Sequence, residues 1–422
     1  RMMMLGIKFG GDVPFKTVFL HSMVLGEDGQ KMSKTRGNVV DPVSLIDEFG
    51  ADSLRFYLST MAGQDQGIIF SRARVEGYRN FCNKLWNAAR FVRMNLDGYD
   101  PAWFQREVIA GETLFARDRA ALWILSRALE VAVEVGALFE QFRLDLAAHA
   151  IYQFVWGEYC DWYLELAKGD LGGDAPAELR QLTQGTLATV LDVILRVLHP
   201  IAPFITEAIW QELPRPPGDP ASLMIADYPR VTDWRGEGEE RHPWRMAGPY
   251  PHFGRLMQDA RVIAAREDIG RLIDVVVAAR GLKAEFKLSP GKRVEVVVRC
   301  DDADVRGAIA DQAEAIVRLA RLSGLRVVDA SEALPREVAT RVVRGVEVIL
   351  PLVGVIDIDA EKARLEKEIG KLEKDAAGLD RKLQSAGFLA KAPPEVVAKD
   401  RARREQIAVD LETLQATLRS LG

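Results

Sequence analysis

The chain has little cysteine and no long apolar run among its 422 residues. Its three cysteines, Cys82, Cys160 and Cys300, lie far apart without a C-x-x-C pair, which argues against a disulfide framework or a zinc site. No apolar run reaches the roughly 18 residues that a membrane span requires, and the first residues resemble neither a signal peptide nor a transit peptide. We therefore expect a cytoplasmic protein with no membrane association and no metal site.

The chain also lacks an excess of positive charge, since its formal net charge is −5. This argues against indiscriminate nucleic-acid binding, so any RNA contact must come from local basic patches. The hydrophobic content of 48% is sufficient for several buried cores. At this length we expect two to four domains.

The segment 31–38, Lys-Met-Ser-Lys-Thr-Arg-Gly-Asn, is the most informative stretch of the chain. Residues 17–21 before it predict a short buried strand, and residues 27–30 predict a turn. Asp41 and Pro42 predict the N-cap and first position of a helix. A second short helix is expected to restart after Gly50, with Asp52 as a cap or as an ion-pair partner of Arg55.

This segment has the chemistry needed to hold a triphosphate. When a carboxylate attacks the α-phosphorus of ATP, negative charge accumulates on the departing pyrophosphate, and fixed cations such as Lys31 and Lys34 would stabilise it by a few kcal/mol each. The hydroxyls of Ser33 and Thr35 can donate to phosphate oxygens. We expect Asn38 to fix the loop to the following helix. The alternative is an ordinary solvated, lysine-rich surface loop.

The same segment resembles the KMSKS signature of class I aminoacyl-tRNA synthetases, and residues 41–55, 78–90, 199–207 and 387–394 resemble the valine-specific family. The resemblance implies ATP with Mg²⁺, valine and tRNA(Val) as substrates and partners, and a monomeric enzyme. It also implies catalytic roles for Lys31 and Lys34. The ATP-binding residues that it implies are Lys31, Met32, Ser33, Lys34, Thr35 and His21.

The sequence departs from the family pattern in two ways. Thr35 stands where the family usually has serine, and no His-Ile-Gly-His segment is present. The chain therefore resembles a C-terminal portion, which we do not expect to aminoacylate tRNA alone. Two other interpretations stay open: a non-catalytic tRNA-binding module that retains the loop, and the related isoleucine or leucine enzyme.

The periodicity along the chain predicts a mainly α, multidomain protein. Helical spacing dominates from about residue 72 to 213, and alternating valines near 293–298 and 342–352 predict a small α/β unit. The predicted domains are the end of a Rossmann-type α/β catalytic domain at 1–71, a helical anticodon-binding bundle at 72–213, a linker at 214–255, a connecting α/β unit at 256–355 and an antiparallel coiled-coil tRNA-binding arm at 356–422.

The first helix of the predicted bundle is basic within an acidic protein. Between residues 72 and 93 there are six basic residues and one acidic residue, a local balance of +5. Asparagine and arginine side chains can bind exposed base edges, and an aromatic ring can stack on a splayed base. The predicted tRNA-binding residues are Arg79, Asn80, Lys84, Asn87, Arg90 and Phe91. A solvated amphipathic face with a core aromatic is the alternative.

The last segment shows a heptad pattern in two halves separated by a breaker. The apolar positions are Leu365, Ile369, Leu372, Ala376, Leu379 and Leu383, followed by Ile407, Leu411, Leu414, Leu418 and Leu421. Two helices of similar length joined by a loop predict an antiparallel hairpin. Its lysine and arginine residues are interleaved with acidic residues, so scaffolding without RNA contact is the alternative.

Overall fold

The computed structural model describes residues 1–63, 67–104, 118–172, 175–214, 220–229, 260–289, 291–334, 337–385, 388 and 392–420. Most of the predicted linker and part of the predicted breaker near 387–391 lie outside these residues. The chain divides into two compact units, Arg1–Glu267 and Asp268–Gly422. Within the described ranges, no helix combines the length and apolarity that a membrane crossing requires.

The first unit begins with a short α-helix at Met2–Leu5 and a π-helical segment at Gly6–Gly10, and a small α/β element follows. Strands β1 (Val24–Leu25) and β2 (Ile68–Ile69) pair in parallel, and helices α1 (Pro42–Phe49) and α2 (Ala51–Thr60) connect them. The predicted cap is confirmed, because Asp41 accepts hydrogen bonds from the amides of Val43 and Ser44 and Pro42 is the first residue of α1. The predicted break at Gly50 is also confirmed, since its φ of 86° ends α1.

The predicted strand at residues 17–21 is wrong. Those residues have no regular secondary structure, and the side chains of Val18 and Leu20 are 68% and 81% exposed. A strand needs a neighbouring strand to satisfy its backbone groups, and the described residues offer these positions none. The strand of this region instead lies at Val24–Leu25, where Ile68–Ile69 pairs with it. Local β-propensity pointed to the wrong part of the segment.

A helical bundle follows the α/β element, as predicted. Its interior is apolar, with Leu85, Ile124, Leu191 and Trp210 fully buried. The path from Leu144 to Ala167 is continuous but takes π-helical geometry at Phe154–Tyr163. The helices are α3 (Arg72–Met94), α4 (Arg119–Glu140), α5 (Leu144–Gln153), α6 (Ala177–Leu198) and α7 (Pro203–Trp210).

The second unit contains a four-stranded mixed sheet in the order β4-β3-β6-β5. Strands β3 and β4 are parallel, while β6 pairs antiparallel with both β3 and β5. The valines of β3 at positions 296–298 are buried, which explains their apolar run. Its elements are the part of α8 (Ala260–Glu285) that follows Glu267, then β3 (Glu295–Arg299), α9 (Ala303–Asp311), α10 (Ala313–Ala320), β4 (Gly324–Val328), β5 (Val338–Val343) and β6 (Val346–Pro351).

Two long helices complete this unit, α11 (Ile358–Gln384) and α12 (Pro394–Ser420). Ion pairs join them between Arg404 and Asp380 at 2.8 Å and between Lys382 and Asp400 at 2.6 Å. The later residue of α11, Lys382, pairs with the earlier residue of α12, Asp400. The two helices therefore run in opposite directions. Leu365, Ile369, Ala376 and Ile407 of the heptad pattern are buried.

Candidate functional site

The loop between β1 and α1 is closed by one asparagine. The side-chain oxygen of Asn38 accepts a hydrogen bond from the Ser33 amide at 2.9 Å. Its nitrogen donates to the two Asp28 carboxylate oxygens at 3.2 and 3.3 Å and to the Lys31 carbonyl at 3.4 Å. The Gln30 amide donates to Asp28, which is the largest of the effects that lower the pKa of this carboxyl. The loop therefore forms a compact network of short-range bonds.

The prediction that Asn38 fixes the loop to the following helix is therefore wrong. An amide side chain placed just after the loop can bind in either direction. Here the preceding turn presents a carboxylate and a carbonyl within reach, while the N-terminus of α1 is already capped by Asp41. The loop is consequently closed on itself, with no bond from Asn38 to α1.

The hydroxyls and the methionine of the loop have separate roles. Ser33 caps a short 3-10 helix at Lys34–Arg36, and its oxygen lies 2.9 Å from the Thr35 hydroxyl. Gly37 ends this turn with a φ of 66°, a conformation that favours glycine. Met32 is half-buried and packs against the core that contains Leu45. The methionine thus anchors the middle of the loop while the polar residues face outward.

The two lysines of the loop are exposed. In the described part of the chain, neither Lys31 nor Lys34 has a carboxylate within ion-pair distance. Two unpaired ammonium groups three residues apart are available to a polyanionic ligand. His21 is also exposed, and its Nδ1 lies 2.9 Å from the Ser22 carbonyl oxygen, outside the Asn38 network.

A second group of polar contacts joins α2 to the start of α7, and we call it the α2–α7 clasp. The Asp52 carboxylate accepts hydrogen bonds from the Phe204 and Ile205 amides at 3.2 and 2.6 Å. The Arg55 guanidinium donates to the Ile201 and Pro200 carbonyls at 2.8 and 3.0 Å. Of the two roles expected for Asp52, the structure shows the helix cap, but the capped helix is α7 and not α2. Arg55, the expected ion-pair partner, donates to carbonyl groups instead.

The clasp includes His199, whose Nε2 atom is buried. Nδ1 of His199 lies 2.8 Å from the Thr206 hydroxyl, whose own proton goes to the Ala202 carbonyl at 2.7 Å. With its proton on the Ala202 carbonyl, the Thr206 hydroxyl oxygen can accept a hydrogen bond from Nδ1. Nε2 is buried and finds no hydrogen-bond partner among the described residues. Burial lowers the pKa of His199, because the charged imidazolium loses hydration there.

Helix α3 presents a polar half and a buried half. Asn80, Asn87 and Arg90 are exposed on the polar half, together with Asn83, which sequence reasoning missed. Asn83 lies three residues after Asn80 and four before Asn87, so helical spacing could have identified it. Trp86 is also exposed on this helix, at 44%. The polar half thus offers amide, guanidinium and aromatic groups to a partner.

Three of the predicted RNA-binding residues on α3 have partners inside the protein. Arg79 pairs with Glu76 at 3.0 Å. Lys84 pairs with Asp161, and its ammonium lies 3.9 Å from the centre of the Trp156 ring. The Phe91 ring is half-buried with the Lys168 ammonium 5.8 Å from its centre.

The cysteines are free and buried. Burial raises the pKa of Cys82 to about 11 and that of Cys160 to about 12, so both thiols are protonated and unreactive at neutral pH. Among the residues described, no group of three histidine, cysteine or acidic side chains could hold a metal ion.

Three parts of the chain match models of known protein families. Residues 1–69 match the family model of tRNA synthetases class I (I, L, M and V), and residues 121–298 match the anticodon-binding domain of tRNA ligase. The chain therefore belongs to the class I tRNA synthetases. Residues 357–422 match the valyl tRNA synthetase tRNA binding arm.

Relatives along the whole chain give the particular family. A valine–tRNA ligase of Syntrophotalea carbinolica is 40% identical over 100% of this chain and 43% of its own length. One from Nitratidesulfovibrio vulgaris is 39% identical over 99% of this chain and 44% of its own length. The chain belongs to the valine–tRNA ligase family, and it spans less than half the length of these relatives.

Among solved structures, a LeuRS of Agrobacterium radiobacter K84 in a ternary complex with tRNA and LeuAMS covers 55% of this chain. The match covers 27% of that chain, with 22% identity and a TM-score of 0.40. A likeness at this level does not define a shared fold.

Proposed function

We propose that this chain supplies the ATP loop, the anticodon-binding bundle and the tRNA-binding arm of a valine–tRNA ligase. The complete enzyme would join valine to ATP, forming valyl-adenylate and releasing pyrophosphate, and then transfer the valyl group to tRNA(Val). The observation that carries this proposal is a pair of exposed lysines, Lys31 and Lys34, that find no carboxylate partner among the described residues. They lie on the self-closed loop of a chain about 40% identical throughout to valine–tRNA ligases.

The loop would act on the pyrophosphate. The Lys31 and Lys34 ammonium groups would stabilise the charge that develops when the bond to the α-phosphorus breaks. Ser33, Thr35 and the backbone around Met32 would bind phosphate oxygens, and His21 would contact the nucleotide from the segment before β1. Mg²⁺ would enter bound to ATP. The described residues contain no cluster of three metal-ligating side chains, so we assign no step to the metal.

The polar half of α3 would bind the anticodon loop. Asn80, Asn87 and Arg90 are exposed and can reach base edges, and the half-buried Phe91 can stack through its open face. Arg79 and Lys84 would contribute positive charge after exchanging their present carboxylate partners for phosphate groups. The proposed bundle covers residues 72–213, between a catalytic part at 1–71 and a linker at 214–255.

Helices α11 and α12 would form an antiparallel coiled-coil arm, residues 356–422, that contacts tRNA. The match of residues 357–422 to a tRNA-binding arm supports this role. The ion pairs between Arg404 and Asp380 and between Lys382 and Asp400 align the two helices. Residues 256–355 would connect the arm to the rest of the enzyme.

Pyrophosphate exchange tests the proposal. In the complete polypeptide that carries this sequence, we expect ATP–pyrophosphate exchange that depends on valine and is much slower with isoleucine or leucine. Faster exchange with isoleucine or leucine would assign the chain to one of those enzymes. Tight tRNA binding without exchange for any of the three amino acids would instead favour a non-catalytic tRNA-binding module.

A further inference from the structure

One edge of the sheet in the second unit collects positive charge, and we call it the basic edge. It lies where the parallel strands β3 and β4 begin, with Glu295 opposite Gly324. The Ser323 amide donates to the Val294 carbonyl at 2.9 Å, so the segments that precede the two strands run side by side. Arg293 and Arg321 lie on these segments, and both are exposed.

The basic edge is also where helices α8 and α10 end. Lys283 of α8 is 7% exposed, and its ammonium donates to the carbonyls of Ala320 and Arg321 at 3.4 and 3.0 Å. Arg280 donates to the Leu319 carbonyl at 2.8 Å. The carbonyl groups at the end of α10 are therefore satisfied from within the protein. The backbone of Arg321 takes part in this capping, with a φ of 53° and its amide donating to the Arg318 carbonyl at 3.3 Å, while its guanidinium group does not.

The positive charge at the basic edge is not balanced locally. In the part of the chain that the structure describes, Arg293, Arg321 and the exposed Lys287 have no carboxylate within ion-pair distance. Glu295 is an acidic residue beside them, and its Oε1 lies 4.0 Å from where a Gly324 Cβ would be. Glu285, the last residue of α8, is paired with Arg341 at 3.5 Å, so this pair adds no net charge to the edge. Each helix end contributes about −0.5 charge. Together with Lys283, the edge keeps a surplus of about two positive charges.

The pKa of Lys283 is consistent with this surplus of positive charge. Burial lowers its pKa, and the charges that lower it further are Arg321, Arg293 and Arg280. Glu337 lies just before β5, on the same edge of the sheet. Because β5 is two strands from β3, about 10 Å away, salt screens the charge of Glu337 from the two arginines.

We propose that Arg293 and Arg321, with Lys287 beside them, bind phosphate groups of the tRNA backbone, which makes the small α/β unit a tRNA-contacting surface. Guanidinium groups bind phosphate oxygens in a two-pronged geometry, and they retain their charge at every physiological pH. Lys283 is a positioning residue, because it holds the end of α10 from which Arg321 emerges. This proposal rests on the tRNA binding proposed above.

Salt-dependent tRNA binding tests the proposal on the 422-residue chain itself. Replacing both residues, Arg293→Ala with Arg321→Ala, should weaken tRNA binding about tenfold and reduce the slope of log K against log salt by about 1 to 2. Arg326→Ala is the matched control, because this exposed arginine of β4 is paired with Glu332 at 3.5 Å. It should leave both quantities unchanged.

A second variant keeps the test independent of folding. Glu295→Gln should strengthen tRNA binding, since it removes the acidic residue beside the two arginines. An unchanged affinity and salt slope in the double variant, with wild-type binding intact, would overturn the proposal. The proposal would also be overturned if inorganic phosphate alone stabilised the wild-type chain while the double variant bound tRNA normally. If the wild-type chain binds no tRNA, it is the proposed function that fails.

Discussion

The Asn38 loop and the α2–α7 clasp are both built from polar groups, but their bonds span very different distances along the chain. In the loop, Asn38 binds partners no more than ten residues away. In the clasp, Asp52 and Arg55 bind backbone groups about 150 residues away. Short-range bonds fix the shape of a loop, whereas long-range bonds join separate elements. The Asn38 network therefore shapes the loop, which Met32 attaches to the core, while the clasp stabilises the junction between the α/β element and the bundle.

The largest effect that we expect comes from the loop. Lys34→Ala in the complete polypeptide should slow ATP–pyrophosphate exchange by about 10²-fold or more, because one cation at the departing pyrophosphate is lost. The dissociation constant for tRNA should stay within about twofold. Lys16→Ala is the control, since Lys16 is an exposed lysine outside the loop. An equal loss in exchange and tRNA binding would contradict the assigned role.

The next effect concerns the clasp and should appear in stability. Asp52→Ala removes the acceptor for two amides at the start of α7, which should lower the free energy of unfolding by about 2 kcal/mol. Urea denaturation measures this change. Asp47→Ala is the matched control, because Asp47 is an exposed carboxylate of α1, and it should shift stability by less than about 0.5 kcal/mol. Equal stabilities for the two variants would mean that the clasp does not support the fold.

The same contrast explains what could be predicted from the sequence. The cap at Asp41 and Pro42 was predicted correctly because both the cap and the helix are local. For Asp52, capping was expected, but the capped helix begins at Pro203, and no local pattern identifies a partner that distant. Propensity predicts a strand at residues 17–21, but propensity cannot tell whether a neighbouring strand exists. The roles of the predicted ATP- and tRNA-binding residues stay predictions.

Asn38 offers a direct test of the difference between the two regions. Asn38→Ala should slow exchange about tenfold, because the lysines lose their fixed positions, and should change the unfolding free energy by less than about 0.5 kcal/mol. Asn38→Asp keeps the acceptor for Ser33 but places a carboxylate beside Asp28, so it should be at least as slow. Normal exchange in both variants would show that the network does not position the lysines.

The smallest effect is a dependence of the clasp on pH. Because burial lowers the pKa of folded His199 below its ordinary value of 6.5, its contribution to stability is fully present above pH 6.5 and is lost as the pH falls through the folded pKa. His199→Asn can keep the hydrogen bond to Thr206 without titrating. Between pH 7.5 and about 5, the wild-type chain should lose up to about 1 kcal/mol more unfolding free energy than this variant.

His149→Asn, at an exposed histidine, is the control and should follow the wild-type profile. If wild type and His199→Asn instead gave parallel profiles, the imidazole would be protonated without cost, and its burial could not be what couples the clasp to pH.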